Sequence, residues 1–129
     1  VPTIEELYTK CNFVSVNIPA TPETKGMIGY DLLSKMPKGG CLINTARKEI
    51  ICEEGLDKAL AERADLKYAT DIAPVSYAEL KEKYAKQIFA TPKKQGAETA
   101  EANINAGLAA ASQIVGYFAT GCTKFQVNK

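Results

Sequence analysis

Positively charged side chains follow two short apolar runs in this chain of 129 residues, which contains no histidine. Arg47 comes directly after residues 42–46, and Lys93 and Lys94 follow the run that closes at Thr91 and Pro92. Open α/β sheets bind their ligands outside the carboxyl ends of their strands. If both runs are strands of one parallel sheet, these cations lie at the same edge and can contact the same ligand.

Arg47 suits a carboxylate ligand, because a planar guanidinium holds a carboxylate through two hydrogen bonds and stays charged at any working pH. The alternative is a solvated loop arginine, or a salt bridge to Glu49 or Glu53. Position alone does not decide between them. The lysine pair has a similar alternative, since adjacent loop lysines are usually solvated.

Asp71 ends the next apolar run, and a carboxylate there is costly to bury unless something donates a hydrogen bond to it. The amide of a bound cofactor would do so, and the ordinary alternative is a helix N-cap ahead of Pro74. Gly96 follows the lysines and lets the backbone approach a ligand closely, although it equally fits an ordinary loop.

Alternating helical and β-branched segments predict half of a doubly wound, parallel α/β sheet that ends in a long helix. Gly121 stops that helix, and residues 125–129 are a candidate for one more extended segment. The predicted helices are residues 3–10, 28–36, 53–62, 76–85 and 98–119, and the predicted strands are residues 13–18, 41–45, 66–72 and 88–90.

The composition, with 46% hydrophobic and 24% charged residues, is typical of one soluble globular domain. A net charge of +1 argues against a general polyanion binder. Four widely spaced cysteines without histidine exclude a standard zinc set and favour free, mostly buried thiols in the reducing cytoplasm. The chain shows neither a signal peptide nor a membrane-spanning apolar stretch.

An ordered series of motifs resembles the second half of the NAD-binding domain of the D-2-hydroxyacid dehydrogenases. Residues 121–128 are similar to the end of the short 3-phosphoglycerate dehydrogenases within that family. The order of the motifs over nearly the whole chain is more specific than any one of them. They are residues 18–25 (IPATPETK), residues 36–47 (MPKGGCLINTAR), Asp71, Thr91-Pro92 and Gly96-Ala97.

The resemblance implies NAD as the cofactor and gives Arg47 a second role, in which it grips the carboxylate and carbonyl of the substrate. Asp71 would contact the nicotinamide amide, and Pro19 would lie near the adenosine. The residues to which the resemblance assigns cofactor contacts are Pro19, Thr45, Ala46, Arg47, Asp71 and Gly96.

Three positions depart from the family pattern. Lys48 stands where the family has glycine, Lys93 where it has the acid/base histidine, and Ser76 where it has the glutamate that polarises this histidine. The last two departures fit together, because a neighbouring carboxylate would move the pKa of a lysine further above neutrality. Lys93 is therefore the expected catalytic partner of Arg47, with Lys94 as the other candidate.

For the intact enzyme, the resemblance implies oxidation of 3-phosphoglycerate to 3-phosphohydroxypyruvate with NAD, the first step of serine biosynthesis, by a cytoplasmic homodimer. Residues 1–97 would be the C-terminal half of the NAD-binding domain, and residues 98–129 a helix and tail that return toward a substrate domain. No Gly-x-Gly-x-x-Gly turn is present, so we expect a C-terminal fragment that is inactive alone. The alternatives are a non-catalytic NAD-binding sensor or corepressor and, less consistent with the ordered motifs, a scaffold without a ligand.

Overall fold

The computed structural model describes residues 2–92 and 99–127, which belong to two compact units, residues 1–93 and 94–129. The first unit is a four-stranded parallel sheet with strand order β1-β2-β3-β4, connected by helices. Its elements are α1 (Ile4–Lys10), β1 (Phe13–Val16), α2 (Tyr30–Leu33), β2 (Cys41–Asn44), a 3₁₀ turn (Lys48–Ile50), α3 (Glu53–Glu62), β3 (Lys67–Thr70), α4 (Tyr77–Lys83) and β4 (Ile88–Ala90). The predicted α/β class is confirmed.

The four strands end in register. Val16, Asn44, Thr70 and Ala90 form one continuous row across the sheet, and all four side chains are buried. Alternate residues face the opposite side of a strand. There, Phe13 on the first strand remains 71% exposed, so the helices and the core occupy one face of this sheet. Each residue after the row lies at the carboxyl edge, where the sequence predicts the site.

Local sequence explains the helix boundaries. The Thr3 hydroxyl accepts a hydrogen bond from the Glu6 N–H at 3.2 Å and so caps the start of α1. Helix α2 is shorter than the predicted residues 28–36. Ile28 instead forms a parallel bridge with Ile51. After Leu33 the backbone forms turns, in which the N–H of one residue bonds to the carbonyl three residues earlier. The apolar residues of the segment are nevertheless buried. Their helical spacing therefore predicted which residues enter the core, but not how long the helix is.

Arg63 fastens the end of α3 to the loop before β2. Its guanidinium donates to the carbonyl oxygens of Ser34, Met36 and Pro37, and it pairs with Asp65 at 2.6 Å. The Asp65 carboxylate also accepts the Gly39 N–H at 2.8 Å. The hydrogen bond from Arg63 is the main cause that lowers the pKa of Asp65 to about 2, so this carboxylate stays charged in the working range of pH.

The second unit contains α5 (Ala100–Thr120), capped at its start by the Thr99 hydroxyl and at its end by Gly121 in the left-handed conformation. The expected extended tail is wrong over the described part, because a turn covers Lys124 and Phe125 and no strand is assigned up to Val127. None of the helices in the described ranges is long and apolar enough to cross a lipid bilayer.

The four cysteines are free, as predicted, but the expectation that they are mostly buried is wrong. Cys11, Cys41 and Cys52 are half-buried and Cys122 is exposed. They lie at or beside the ends of strands and helices, and none of them is among the buried residues of the core. Within residues 2–92 and 99–127, no cluster of histidine, cysteine or acidic side chains is arranged to hold a metal ion.

Candidate cofactor and substrate site

The candidate site is the carboxyl edge of the sheet, where Thr45, Asp71 and Thr91 each stand one residue beyond the buried row. The Thr91 N–H donates to the carbonyl oxygen of Thr70 at 3.1 Å, which extends the β3–β4 ladder by one step. Polar residues of neighbouring strands therefore meet at one rim. Such a rim is where open α/β sheets take up ligands.

Asn44 shapes the loop that carries Thr45, Ala46 and Arg47. Its side chain is completely buried, its Oδ1 accepts the Ala46 N–H at 3.0 Å, and its Nδ2 donates to the Arg47 carbonyl at 2.9 Å. Nδ2 also lies 3.4 Å from the Tyr68 hydroxyl. One buried amide thus hydrogen-bonds both a backbone N–H and a backbone carbonyl of this loop. These bonds fix the backbone at Arg47 against the end of β2.

The Arg47 side chain is exposed, and its only hydrogen bond among the described residues runs from Nη1 to the Ala46 carbonyl at 2.9 Å. Neither Glu49 nor Glu53 forms an ion pair with it, so the salt-bridge alternative is wrong. Most of the guanidinium donors are therefore available to a carboxylate. Lys48 replaces the usual glycine without strain, since no residue but glycine has a positive φ in the described chain.

Asp71 is half-buried, and its Oδ1 atom is buried without a hydrogen-bond partner in the described structure. The N-cap alternative is wrong, because the N-cap of α4 is Ser76. An unpaired buried carboxylate oxygen costs free energy that a donor from a ligand would recover. This oxygen therefore fits the amide group of a nicotinamide cofactor, as the sequence predicts for Asp71.

A carboxylate does reach the position that the missing glutamate leaves at Ser76, but it comes from α3. Glu53 accepts the Ser76 hydroxyl at 2.6 Å, the Ser76 N–H at 3.1 Å and the Val75 N–H at 2.8 Å. Burial raises the pKa of Glu53, yet these hydrogen bonds and the charge of Lys48 outweigh it and hold the pKa below its ordinary value. Glu53 thus anchors the loop that follows Asp71.

Pro19 lies on the exposed loop after β1, at the same carboxyl edge. Its carbonyl accepts the Thr24 hydroxyl at 2.7 Å, and Thr24 also receives the Thr21 N–H at 2.7 Å. These bonds close a compact turn that leaves the proline ring at the surface, as a contact to the adenosine of a cofactor requires.

Lys93, Lys94 and Gly96 lie outside the described residues, so their assigned roles remain predictions. Sequence reasoning missed three residues of the site: Asn44, Glu53 and Thr91. Asn44 lies within the motif of residues 36–47, and a polar residue that ends an apolar run was a usable signal for it. Glu53 carried no signal, because its contacts to residues 75–76 depend on the tertiary fold.

Comparison with known proteins agrees with this geometry. Residues 1–94 match the D-isomer specific 2-hydroxyacid dehydrogenase, NAD binding domain, family. The D-3-phosphoglycerate dehydrogenase of Haemophilus influenzae is 31% identical over 99% of this chain, which spans 32% of that enzyme. The formate dehydrogenase of Candida boidinii is 42% identical over 56% of this chain and 20% of its own length.

A solved structure of NAD⁺-bound 3-phosphoglycerate dehydrogenase from Entamoeba histolytica superimposes with a TM-score of 0.84. It is 56% identical and covers 100% of this chain, which corresponds to 42% of that protein. The chain thus spans about a third to two fifths of the relatives that it matches over its whole length. The ordered motifs, the parallel sheet and the family match agree, and this chain belongs to the D-isomer specific 2-hydroxyacid dehydrogenases, in whose NAD-binding domain it lies.

Proposed function

We propose that the protein containing this chain is an NAD-dependent D-3-phosphoglycerate dehydrogenase, which oxidises 3-phosphoglycerate to 3-phosphohydroxypyruvate as the first step of serine biosynthesis. The observation that carries the choice of substrate is the 56% identity to an NAD⁺-bound 3-phosphoglycerate dehydrogenase over the whole chain. The similarity to formate dehydrogenase covers 56% of the chain and supports only the shared cofactor chemistry.

Arg47 binds the carboxylate of the hydroxy acid in this proposal. Its exposed guanidinium carries a fixed charge, and Asn44 holds its backbone at the rim. When bound, NAD accepts the hydride that leaves C2 of the substrate. Lys93, in its neutral form, takes the proton of the 2-hydroxyl as the C2–O bond becomes a carbonyl. The positive charge of Arg47 would help to keep a nearby lysine neutral, because like charges lower the pKa of an ammonium group.

Thr45, Ala46 and Asp71 would hold the nicotinamide end of NAD, Pro19 the adenosine end, and Gly96 would border the dinucleotide. The unpaired Asp71 oxygen and the exposed proline support these assignments. We also propose residues 1–97 as the C-terminal half of the NAD-binding domain and residues 98–129 as a connection to the substrate domain. The division of the chain near residue 93 supports this boundary.

We propose a cytoplasmic homodimer as the working form. Free thiols at all four cysteines support a reducing compartment. The edge strands β1 and β4 of the described sheet each pair with one neighbour only, which leaves backbone groups that another sheet or chain can cover.

The test is NADH formation by the full-length protein with 3-phosphoglycerate, compared with glycerate and formate, beside direct measurement of NAD binding. Turnover should be fastest with 3-phosphoglycerate. Arg47→Gln should lower kcat/KM about 10- to 100-fold, because it removes a charge-assisted, two-point contact to the carboxylate. Lys38→Gln is the matched control, since Lys38 is exposed near the amino end of the same strand.

Three outcomes would contradict parts of the proposal. NAD binding without turnover of any hydroxy acid would favour the non-catalytic sensor or corepressor. Equal losses in Arg47→Gln and Lys38→Gln would show that Arg47 contributes general charge and no specific contact. Near-normal turnover in Lys93→Ala would remove Lys93 from proton transfer.

A further inference from the structure

Two polar atoms stand out in the described part of the chain, because they are buried without a hydrogen-bond partner. They are Asp71 Oδ1 and Thr91 Oγ1. Proteins satisfy nearly all their buried polar groups, and each exception needs an explanation such as a missing ligand. No other buried side-chain oxygen or nitrogen in the described residues shares this condition. Both exceptions occur at the carboxyl edge of the sheet.

The two residues are also neighbours in space. Thr70 pairs with Ala90, and the hydrogen bond from the Thr91 N–H to the Thr70 carbonyl carries the pairing one residue further. Adjacent strands of a sheet lie about 4.8 Å apart, so Asp71 and Thr91 stand side by side at the rim. The two unpaired atoms therefore belong to neighbouring residues at the same part of the rim.

We propose that Asp71 and Thr91 form one amide-binding pair that orients the carboxamide of the nicotinamide ring. A carboxylate only accepts hydrogen bonds, whereas a hydroxyl can donate one. A primary amide offers the matching set, an NH₂ group for Asp71 and a carbonyl oxygen for Thr91. This inference rests on the proposed NAD-dependent function and adds a second, previously unassigned contact, which stops rotation of the amide about its bond to the ring.

The contrast with Thr70 shows that Thr91 does not serve the fold through its hydroxyl. The Thr70 hydroxyl is fully used, since it donates to the Asn44 carbonyl at 2.7 Å and accepts the Ile72 N–H at 3.0 Å. Thr91 makes no such bond within the described chain. Removal of its hydroxyl should therefore leave the stability of the ligand-free protein unchanged or slightly increased, because an unpaired buried group disappears.

The experiment measures dissociation constants of the full-length protein for three ligands by calorimetry. NAD carries the whole amide, 3-acetylpyridine adenine dinucleotide keeps the carbonyl but replaces NH₂ by methyl, and ADP-ribose lacks the ring. Thr91→Val should bind NAD and the acetyl analogue about three- to tenfold more weakly, the range expected for one hydrogen bond, and should bind ADP-ribose like the wild type. Thr91→Ser should restore binding.

Asp71→Ala supplies the complementary arm. It should weaken the binding of NAD but change the dissociation constant of the acetyl analogue much less, since that ligand has no NH₂ to donate. Thermal unfolding without ligand adds an independent readout, in which Thr70→Val should lower Tm and Thr91→Val should not.

The possible failures are distinguishable. If the wild type does not bind NAD, the proposed function fails and this inference fails with it. If the wild type binds NAD while Thr91→Val leaves its dissociation constant unchanged, only the inference is overturned. If Thr91→Val weakens the binding of NAD and of ADP-ribose equally, or lowers Tm as much as Thr70→Val does, the Thr91 hydroxyl has a structural role instead.

Discussion

Asn44 determines more of the candidate site than any charged residue does, because it connects the core to the loop of Arg47. Its amide lies in the buried row at the end of the strands and uses both its acceptor and its donors. A buried amide is stable only with such partners. Two of its three contacts, to the Ala46 N–H and the Arg47 carbonyl, therefore also fix the position of the arginine backbone.

Asn44→Ala should destabilise the protein by about 2–3 kcal/mol, since it leaves the Ala46 N–H and the Arg47 carbonyl without their partner. It should also raise the KM for the hydroxy acid by loosening Arg47. Chemical denaturation and steady-state kinetics of the same variant measure both effects.

Asn17→Ala is the control, because Asn17 stands one residue past the same row on β1 but is exposed, and among the described residues its side chain bonds only to Ser15. Its effect should stay within about 0.5 kcal/mol. A KM unchanged in Asn44→Ala, despite the loss of stability, would show that the arginine loop holds its shape without the buried amide.

Single residues at strand ends were predictable where one local rule sufficed. Arg47 and Asp71 follow apolar runs, and the register of the parallel strands does bring those run ends to one edge. The unpaired state of Thr91 and the contact between Glu53 and Ser76 were not predictable, because each depends on which distant segment packs nearby. The sequence carries no local trace of such contacts.

At the scale of elements, the packing of α3 against α2 depends on a glycine. A Cβ atom at Gly55 would lie 2.6 Å from the Tyr30 nitrogen and 2.9 Å from the Gly29 Cα. Both are backbone atoms at the start of α2, which cannot move aside cheaply. The close approach places α3 so that Glu53, two residues earlier, reaches the Val75 and Ser76 amides.

Gly55→Ala should therefore destabilise the protein by about 2 kcal/mol, although alanine is the better helix former by about 1 kcal/mol. Ala61→Gly calibrates this comparison, because Ala61 is exposed in the same helix and its change should cost only the propensity difference of about 1 kcal/mol. Urea unfolding of both variants measures the two losses of stability. A stabilised Gly55→Ala protein would mean that α2 and α3 separate more freely than their contact implies.

The bounds of a helix were predicted best where the apolar residues recur most regularly at helical spacing. Helix α3 was predicted with its exact bounds of residues 53–62, since its apolar face and charged flanks agree. Helix α2 was overestimated because Ile28 pairs with Ile51, a non-local bridge that a helical pattern hides. The predicted strands were correct in place, and three of the four were longer than the observed strands, because the runs used to predict them continue past the residues that pair regularly in the sheet.

At the scale of the molecule, the buried core and the long helix have different sources of stability. Every member of the core cluster lies between Tyr8 and Ile88. Helix α5 has no buried residue over its 21 residues, although it carries several large apolar side chains. The exposed ones include Ile104, Leu108, Ile114, Val115, Tyr117 and Phe118. Helices of this kind owe most of their stability to packing, and isolated helices of moderate length are marginal in water.

Hydrogen exchange of the dilute 129-residue chain should therefore separate the two units. The amides of Leu42 and Ile43, in the centre of the sheet, should exchange slowest, because opening them exposes the core. The amides of α5 should exchange much faster, with protection that increases when the chain concentration rises and the apolar side chains find a second copy. Mass spectrometry of peptides from both regions at two concentrations measures this. Protection of α5 equal to that of β2 at the lower concentration would contradict the assignment, since it would require packing that its exposed side chains do not provide.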